Sequence, residues 1–259
     1  DGQDILEAGT PHLHGTVARD GWLNRFLQEV PGVAAEMTFA IGREALLVTE
    51  GAAPVSAWSP DANLRLSPQA ERLLALVSED DAPMHDAMQD AIEIAKLLDF
   101  ADVSAADEDA MAAMERMAMT GPGGAHRDVA RFAALRLREE TRIAAFSLGG
   151  WDTHRNQRQG LTRALGQLSD AILTLKTGLG PVWEKTAVLA MTEFGRTVRE
   201  NGTSGTDHGT GGAMVMAGGA VRGGQVLGDW PGLAEAELYD RRVLLPTRDV
   251  RAYAAWSMR

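Results

Sequence analysis

Acidic residues and histidines gather in three short clusters of the C-terminal half, and each cluster adjoins an apolar run. The clusters occupy residues 149–154 (GGWDTH), 192–197 (TEFGRT) and 205–209 (GTDHG). Carboxylate oxygens and imidazole nitrogens suit Zn²⁺, Mn²⁺ or a similar ion, and the chain has no cysteine that could add a thiolate ligand. We therefore predict a metal centre whose ligands are drawn from Asp152, His154, Glu193, Asp207 and His208.

Each of these residues also has an ordinary structural explanation. Asp152 could cap the helix that follows it, and a single histidine such as His154 is more often a surface residue than a ligand. Glu193 could pair with Arg196, and the Asp-His pair of the third cluster could belong to a glycine-rich turn. The metal interpretation is favoured because all three clusters stand at the ends of successive apolar runs.

Those apolar runs predict the strands that position the clusters. Residues 142–148, 187–191 and 213–217 are short and mostly apolar, as the strands of a buried parallel sheet are. Leucines and an isoleucine recur every three or four residues over 161–179, which is the spacing of one buried helix face. We predict an α/β fold in which the three strands are neighbours in one mostly parallel sheet flanked by helices, with the clusters at one edge.

The remaining sequence predicts one domain over residues 1–259, with a helical region at about 68–140 and a sheet core carrying the metal site at about 141–259. Near the start, the pattern of residues 21–30 predicts a short amphipathic helix. Residues 37–41 and 45–48 are predicted to be strands.

Charge and hydropathy exclude several classes of partner. The formal net charge of −11 argues against nucleic acid, because phosphate binding needs clustered lysines and arginines. The sequence has no apolar run of the roughly 18 residues that a transmembrane helix needs, so we expect no membrane insertion. An acidic protein can still bind a small anionic substrate, because a bound metal ion reverses the local potential.

The three clusters and their flanks resemble a bacterial family of unknown function, DUF1501. The resemblance runs nearly from end to end and rests on five segments: DGQDILEAGT, DGWLNRFL, GGWDTH, AVLAMTEFGRT and TDHGTGGAMVMAGGAVRGGQVLG. This family is grouped with the alkaline phosphatase and sulfatase superfamily. The resemblance therefore implies an alkaline phosphatase-like fold with one or two metal ions bound on loops after the strands.

The superfamily pattern implies a role for several individual residues. Asp152 and His154 stand where the first metal is usually bound, and His208 matches the last metal histidine, with Asp207 beside it. Phe194 occupies the place of a second-metal histidine. The resemblance also implies that Arg196 contacts a substrate oxyanion, with pairing to a carboxylate as the alternative.

The function that the resemblance implies is metal-dependent hydrolysis of a small anionic ester, either a phosphate or a sulfate. The superfamily's nucleophile would precede Asp1, and the abrupt ends predict a fold incomplete at both ends, so residues 1–259 alone should be catalytically silent. The alternative is an exported scaffold or binding protein with a degenerate metal site. Members of the family commonly carry twin-arginine export signals, which implies a periplasmic or exported protein.

Overall fold

The computed structural model describes residues 2–10, 20–42, 45–59 and 124–257. The α-helices in these ranges are α1 (Gly2–Ala8), α2 (Trp22–Gln28), α3 (Ala125–Leu137), α4 (Gln157–Leu179) and α5 (Val250–Ser257). The strands are β1 (Thr38–Ile41), β2 (Ser56–Trp58), β3 (Ile143–Phe146), β4 (Val188–Ala190), β5 (Gly195–Arg196), β6 (His208–Gly209) and β7 (Val215–Ala217). Short 3₁₀ helices lie at Ala35–Met37, Leu47–Thr49, Gly180–Lys185 and Glu235–Glu237.

A small parallel sheet with the strand order β2-β1-β3 lies at the centre of the described fold. β3 pairs with β1 in parallel from Thr38↔Ile143 to Ile41↔Phe146, and β2 pairs in parallel with the other edge of β1. The central strand is the most buried of the three, as expected for an apolar segment with a partner on both sides. Helices together with this parallel sheet confirm the predicted α/β class.

The hydrophobic core forms where α3 and α4 pack against each other and against this sheet. Phe132 of α3 is 1% exposed, and its ring stacks on Trp58 with centroids 3.9 Å apart. The same ring meets Phe39 of β1 edge-on at 5.5 Å, which is a favoured aromatic geometry. Leu175 and Leu179 complete the core from the last turns of α4. The core thus fixes β3 and α4, the two elements that flank the loop carrying Asp152 and His154.

The expectation of one sheet containing all three predicted strands is wrong, although all three segments are strands. β3 belongs to the parallel sheet, whereas β4 and β7 form a separate antiparallel pair with Val188 opposite Ala217. A parallel connection needs a crossover of a dozen or more residues, usually a helix. Here the connection between β4 and β7 contains the β5–β6 antiparallel pair instead, so the chain returns in the opposite direction.

Two local expectations are also corrected. The buried face of α4 includes Ala164, Ala171 and Leu175, whereas Leu165 of the predicted leucine stripe is 50% exposed. Small residues allow α3 and α4 to approach closely. The buried face of α4 therefore includes alanines, which the leucine spacing did not indicate. The predicted strand at 45–48 is wrong as well, since Leu47–Thr49 is a 3₁₀ turn.

The N-terminal elements pack around that 3₁₀ turn. Asn24 of α2 is fully buried and donates to the carbonyl oxygens of Thr49 (2.8 Å) and Ala53 (2.9 Å). Oε2 of Glu7 in α1 accepts a 2.8 Å hydrogen bond from the Val48 amide. These contacts satisfy backbone groups of an irregular segment, which would be costly to bury without partners. They also fix α1, whose first residue, Gly2, lies against Phe194.

The predicted helical region is described only in its last part. α3 lies within it and is helical, and residues 68–123 lie outside the described residues. The division of one domain into a helical region and a sheet core therefore stays a prediction. Among the helices of the described ranges, none has the length and apolar character needed to cross a membrane.

Replacing Phe132 with alanine should lower the free energy of unfolding by about 3–5 kcal/mol, because it leaves a cavity between β1, β2 and α3. The matched control is Phe26→Ala: Phe26 is 47% exposed on α2, and its loss should change stability by only about 0.5 kcal/mol. Urea unfolding of both variants, followed by circular dichroism, checks this. Equal destabilisation by the two changes would contradict the position of the core.

The contact between Asp170 of α4 and the start of α3 should make stability depend on pH. Asp170 accepts a 2.6 Å hydrogen bond from Arg127, which lowers the pKa of Asp170, and His126 lies 3.5 Å away. A lowered folded-state pKa means that the stabilisation is present above the unfolded value of about 3.9 and is lost as pH falls through the folded value.

Asp170→Asn should therefore lower the free energy of unfolding at pH 7 by no more than about 1 kcal/mol, since the side chains of Asp170 and Arg127 are both 38% exposed and partly screened. The difference from the unsubstituted protein should shrink below about pH 4. Urea titrations at a series of pH values measure it. A difference that stays constant down to pH 2 would show that the ion pair is not its cause.

Candidate metal centre

Three donor residues come together from two separate stretches of chain. Asp152 and His154 lie in the loop between β3 and α4, and His208 begins β6. β6 pairs with β5 in an antiparallel register that sets Arg196 opposite His208. The site is therefore formed where the loop after the parallel sheet meets the β5–β6 pair.

The donor atoms of the three residues form a nearly equilateral triangle. Asp152 Oδ1 lies 2.9 Å from His208 Nε2 and 3.0 Å from His154 Nε2. The two Nε2 atoms are 3.1 Å apart. The side chains remain accessible, with exposed fractions of 66% for Asp152, 42% for His154 and 51% for His208. A ligand from solvent can therefore reach all three donor atoms.

Arg196 fixes the Asp152 corner of this triangle. Its Nη1 donates a 2.8 Å hydrogen bond to Asp152 Oδ1. Its Nε donates to the Thr206 hydroxyl at 3.0 Å, and its Nη2 donates to the Thr206 carbonyl oxygen. The guanidinium thus joins the loop after β3 to the residues before β6. This geometry matches the carboxylate-pairing alternative for Arg196, so the residue holds a donor in place.

Asp207 orients His154 from behind the triangle. Its Oδ1 lies 3.3 Å from His154 Nδ1 and accepts a 3.1 Å hydrogen bond from the Asn201 side chain. With the Nδ1 proton donated to Asp207, the lone pair of His154 Nε2 is directed to the side of Asp152 and His208. Carboxylates commonly hold metal-binding histidines in this way. Asp207 was predicted as a ligand, and the geometry places it beside the donor group instead.

The backbone around His154 is held by the turn at residues 201–206. The carbonyl oxygen of His154 accepts hydrogen bonds from the Asn201 side chain (3.0 Å) and the Thr203 hydroxyl (2.7 Å). Gly205 packs so closely that a Cβ atom there would lie 2.2 Å from the His154 carbonyl carbon and oxygen. Only glycine permits this approach without a shift of the chain. The position of His154 is therefore set by its main chain as well as by Asp207.

The surrounding hydrogen bonds favour ionised carboxylates. The Arg196 hydrogen bond, and next the one from His208, lower the pKa of Asp152 below its ordinary value. The Asn201 and His154 hydrogen bonds lower the pKa of Asp207 in the same direction. A carboxylate binds a cation only in its deprotonated form. Both groups are thus in the charge state that a metal centre needs.

The donor set fits a divalent metal ion. One carboxylate and two imidazoles are ligands of Zn²⁺ and of similar ions, and bonds of about 2.0–2.1 Å in a tetrahedral arrangement separate ligand atoms by roughly 3.3 Å. The observed separations of 2.9–3.1 Å are close to that value. Asp152, His154 and His208 are therefore a metal-binding group in geometry and in chemistry.

Glu193, the fifth predicted ligand, does not join this group. It is an exposed residue of the bend between β4 and β5, and its Cγ lies near Gly2 of α1. The next residue, Phe194, is the one that faces the site: its ring centroid is 4.1 Å from that of His208. Phe194 thus borders the site, whereas Glu193 lies outside the donor group.

Sequence reasoning missed several residues that shape the surroundings of the site. Asn201 and Thr206 hold the loops together, and Arg242 donates a 3.0 Å hydrogen bond to Asp207 Oδ2. The Asn-, Gly- and Ser-rich segment 201–205 did carry a turn signal that could have indicated Asn201. Arg242 lies 35 residues from Asp207 in the chain, and no local pattern indicated their contact.

Replacing Asp207 with asparagine should weaken Zn²⁺ binding by about 10- to 100-fold. The asparagine side chain is neutral, so its hydrogen bond with His154 Nδ1 is weaker and holds the imidazole less firmly. Competition with a chelating dye measures the affinity. Asp249→Asn is the matched control: Asp249 is also an exposed, arginine-paired aspartate, bonded to Arg251 in α5, and its change should leave the affinity intact. Equal zinc affinities in all three proteins would show that Asp207 does not orient a ligand.

Among the comparisons with known proteins, the one with protein families gives a match. The sequence matches the family described as "Protein of unknown function (DUF1501)" over residues 3–251. No curated protein and no solved structure matches significantly. The match covers nearly the whole chain and includes every residue of the metal-binding group. The chain therefore belongs to the DUF1501 family of proteins of unknown function.

Proposed function

We propose that this protein is a metal-dependent hydrolase of phosphate or sulfate esters. The observation that supports the proposal best is the accessible triangle of Asp152 Oδ1, His154 Nε2 and His208 Nε2, with sides of 2.9–3.1 Å. A purely structural zinc site has four protein ligands, whereas a hydrolytic site keeps one position open for water or substrate. Zn²⁺ or Mn²⁺ is the proposed ion, with a small anionic ester as the substrate.

A divalent ion held there would act as a Lewis acid on an ester oxygen and would raise the acidity of water. The protein's own residues supply the arrangement. Asp207 directs His154, and Arg196 keeps Asp152 ionised and fixed. The predicted oxyanion contact of Arg196 is less supported than this positioning role, because its three nitrogens are engaged by Asp152 and Thr206.

The hydroxyl groups of Thr153, Thr206 and Thr210 lie near the site but are not proposed as the attacking oxygen. The hydroxyls of Thr153 and Thr206 both donate to Gln157, and the hydroxyl of Thr210 donates to the Leu244 carbonyl oxygen at 2.7 Å. Each is thereby held in a structural hydrogen bond. These three hydroxyls are therefore not proposed as the nucleophile, and a nucleophile from elsewhere is a proposal drawn from the superfamily resemblance. The alkaline phosphatase-like fold and a periplasmic or exported location are proposals on the same resemblance.

A second candidate function is an exported binding or scaffold protein with a degenerate metal site. The observation that favours it is Phe194, which packs on His208 where the superfamily pattern has a further histidine ligand. Within the described residues, one group of three donors is suited to a metal ion. A protein with one bound ion and no turnover would fit this function.

The proposed function predicts ester turnover that depends on the three donors. The natural full-length protein, loaded with Zn²⁺ or Mn²⁺, should hydrolyse an aryl phosphate or an aryl sulfate. His208→Ala should lower kcat/KM by more than about 100-fold, because a lost ligand costs more than a lost supporting residue. The control is His126→Ala, whose side chain contacts Asp170 away from the metal-binding group.

Steady-state assays with 4-nitrophenyl phosphate and 4-nitrophenyl sulfate, alongside metal analysis of each protein, distinguish the two functions. Residues 1–259 assayed alone should be inactive if the nucleophile precedes Asp1. One ion per chain without hydrolysis of either ester would favour the binding protein. Turnover that His208→Ala leaves unchanged would show that the active site lies elsewhere.

A further inference from the structure

An open cavity of about 350 Å³, closer to a surface groove than to an enclosed pocket, lies directly beside the metal-binding group. His208 forms part of its wall, together with Phe194, Tyr239 and Arg242. Its volume is at the lower end of the range for small-molecule sites, which run from about 300 to 1,000 Å³. A group bound in this cavity would therefore be adjacent to any ester held at the donor triangle.

The outer wall of the cavity is a tight turn from Tyr239 to Val243. The two end residues exchange backbone hydrogen bonds of 3.0 and 3.1 Å. Between them, Asp240 and Arg241 have φ angles of 49° and 55°, a conformation that residues other than glycine seldom adopt. Two successive positive φ angles are the geometry of a type I′ hairpin turn, which gives this wall of the cavity a defined backbone.

The turn is tied to the strand that carries Arg196. Val243 forms a backbone bridge with Thr197, and the Val198 amide donates to the Arg242 carbonyl oxygen at 3.1 Å. Thr197 in turn donates its amide to the Asp207 carbonyl oxygen at 2.8 Å. The turn and the metal-binding group thus share one backbone framework, so their separation is fixed.

Two aromatic rings border the cavity. Phe194 lies against the His208 ring, and Tyr239 is 49% exposed despite its size. Exposed aromatic side chains in a concave site supply a large rigid surface on which a ring can stack. The cavity therefore offers an apolar face at the side of the metal-binding group.

Arg242 supplies a positive group at the same cavity. Its hydrogen bond to Asp207 Oδ2 uses one of the five guanidinium N–H donors, and its side chain is 61% exposed. It also borders a second cavity of about 230 Å³, which Arg199 and Arg241 line as well. Arg199 and Arg241 both pair with Glu235, and Glu200, Asp207 and Asp240 also line the two cavities. The positive group that a ligand can contact here is therefore the exposed Arg242, through its remaining N–H donors.

We propose that this cavity binds the ring-bearing alcohol part of the substrate, with Tyr239 and Phe194 contacting the ring and Arg242 contacting an anionic oxygen. The substrate class is thus a phosphate or sulfate monoester of a cyclic alcohol rather than a compact acyclic ester. This assignment rests on the proposed function only for placing the anionic group at the donor triangle.

Calorimetric binding of two non-hydrolysable analogues to the zinc-loaded full-length protein tests the assignment. Phenylphosphonate should bind about five- to tenfold more tightly than methylphosphonate, a preference of the size that aromatic contacts provide. Tyr239→Ala should abolish the preference, and Tyr239→Phe should keep it because the ring remains. Arg242→Gln should weaken both analogues by a similar factor, because the anionic group is common to both.

Trp230→Ala is the control, since Trp230 is a 70% exposed aromatic residue that borders neither cavity. It should retain the preference. Equal affinities for the two phosphonates, binding of neither, or an unchanged preference in Tyr239→Ala would each overturn the assignment. These outcomes are independent of turnover. A ring preference without ester hydrolysis would support the ring-binding cavity and contradict the hydrolase function. Ester hydrolysis without a ring preference would support the hydrolase function and contradict the ring-binding cavity.

Discussion

Asp152 Oδ1 lies within 3.0 Å of three nitrogen atoms, which belong to His154, Arg196 and His208. The donor triangle and the side-chain contact of Arg196 with it both depend on this one carboxylate oxygen. It draws the loop after β3, strand β5 and strand β6 to a common point. Without it, the two Nε2 atoms, which lie 3.1 Å apart, would have no carboxylate beside them, because Asp207 contacts His154 at Nδ1.

The donor group has little value as a stabilising contact. Exposed ion pairs contribute roughly 0–1 kcal/mol each, and the three side chains here are between 42% and 66% exposed. Stability comes instead from the core around Phe132 and from the parallel sheet. The site nevertheless contains two close backbone approaches that require glycine, at Gly205 against His154 and at Gly209 against Arg196. A binding role explains these two close backbone approaches better than a contribution to folding stability does.

Much of the site could be predicted because strand ends are readable from sequence. The apolar runs marked where β3, β4 and β7 lie, and the polar clusters beside them indicated that Asp152, His154 and His208 would meet. Which strands pair with each other could not be predicted from the sequence. β3 pairs with β1, whose Thr38 is 105 residues before Ile143, and a contact at that separation leaves no local signature.

The errors follow from the same limit. The direction of β7 depends on how the intervening chain folds, and the β5–β6 pair in that connection reversed it. Whether Glu193 or Phe194 contacts His208 depends on the backbone of the bend between β4 and β5, which no sequence pattern indicated. Family membership, by contrast, was predicted correctly, because its motifs are contiguous stretches of sequence.

We expect Asp152, His154 and His208 to bind one divalent ion in common. A crystal structure of the zinc-soaked protein, with anomalous data collected at the zinc edge, tests it most directly. We expect one strong peak at about 2.0–2.2 Å from Asp152 Oδ1, His154 Nε2 and His208 Nε2, with Asp207 still bonded to His154 Nδ1. A zinc peak bound by other residues, or direct contacts among the three side chains left unchanged with no peak between them, would contradict it.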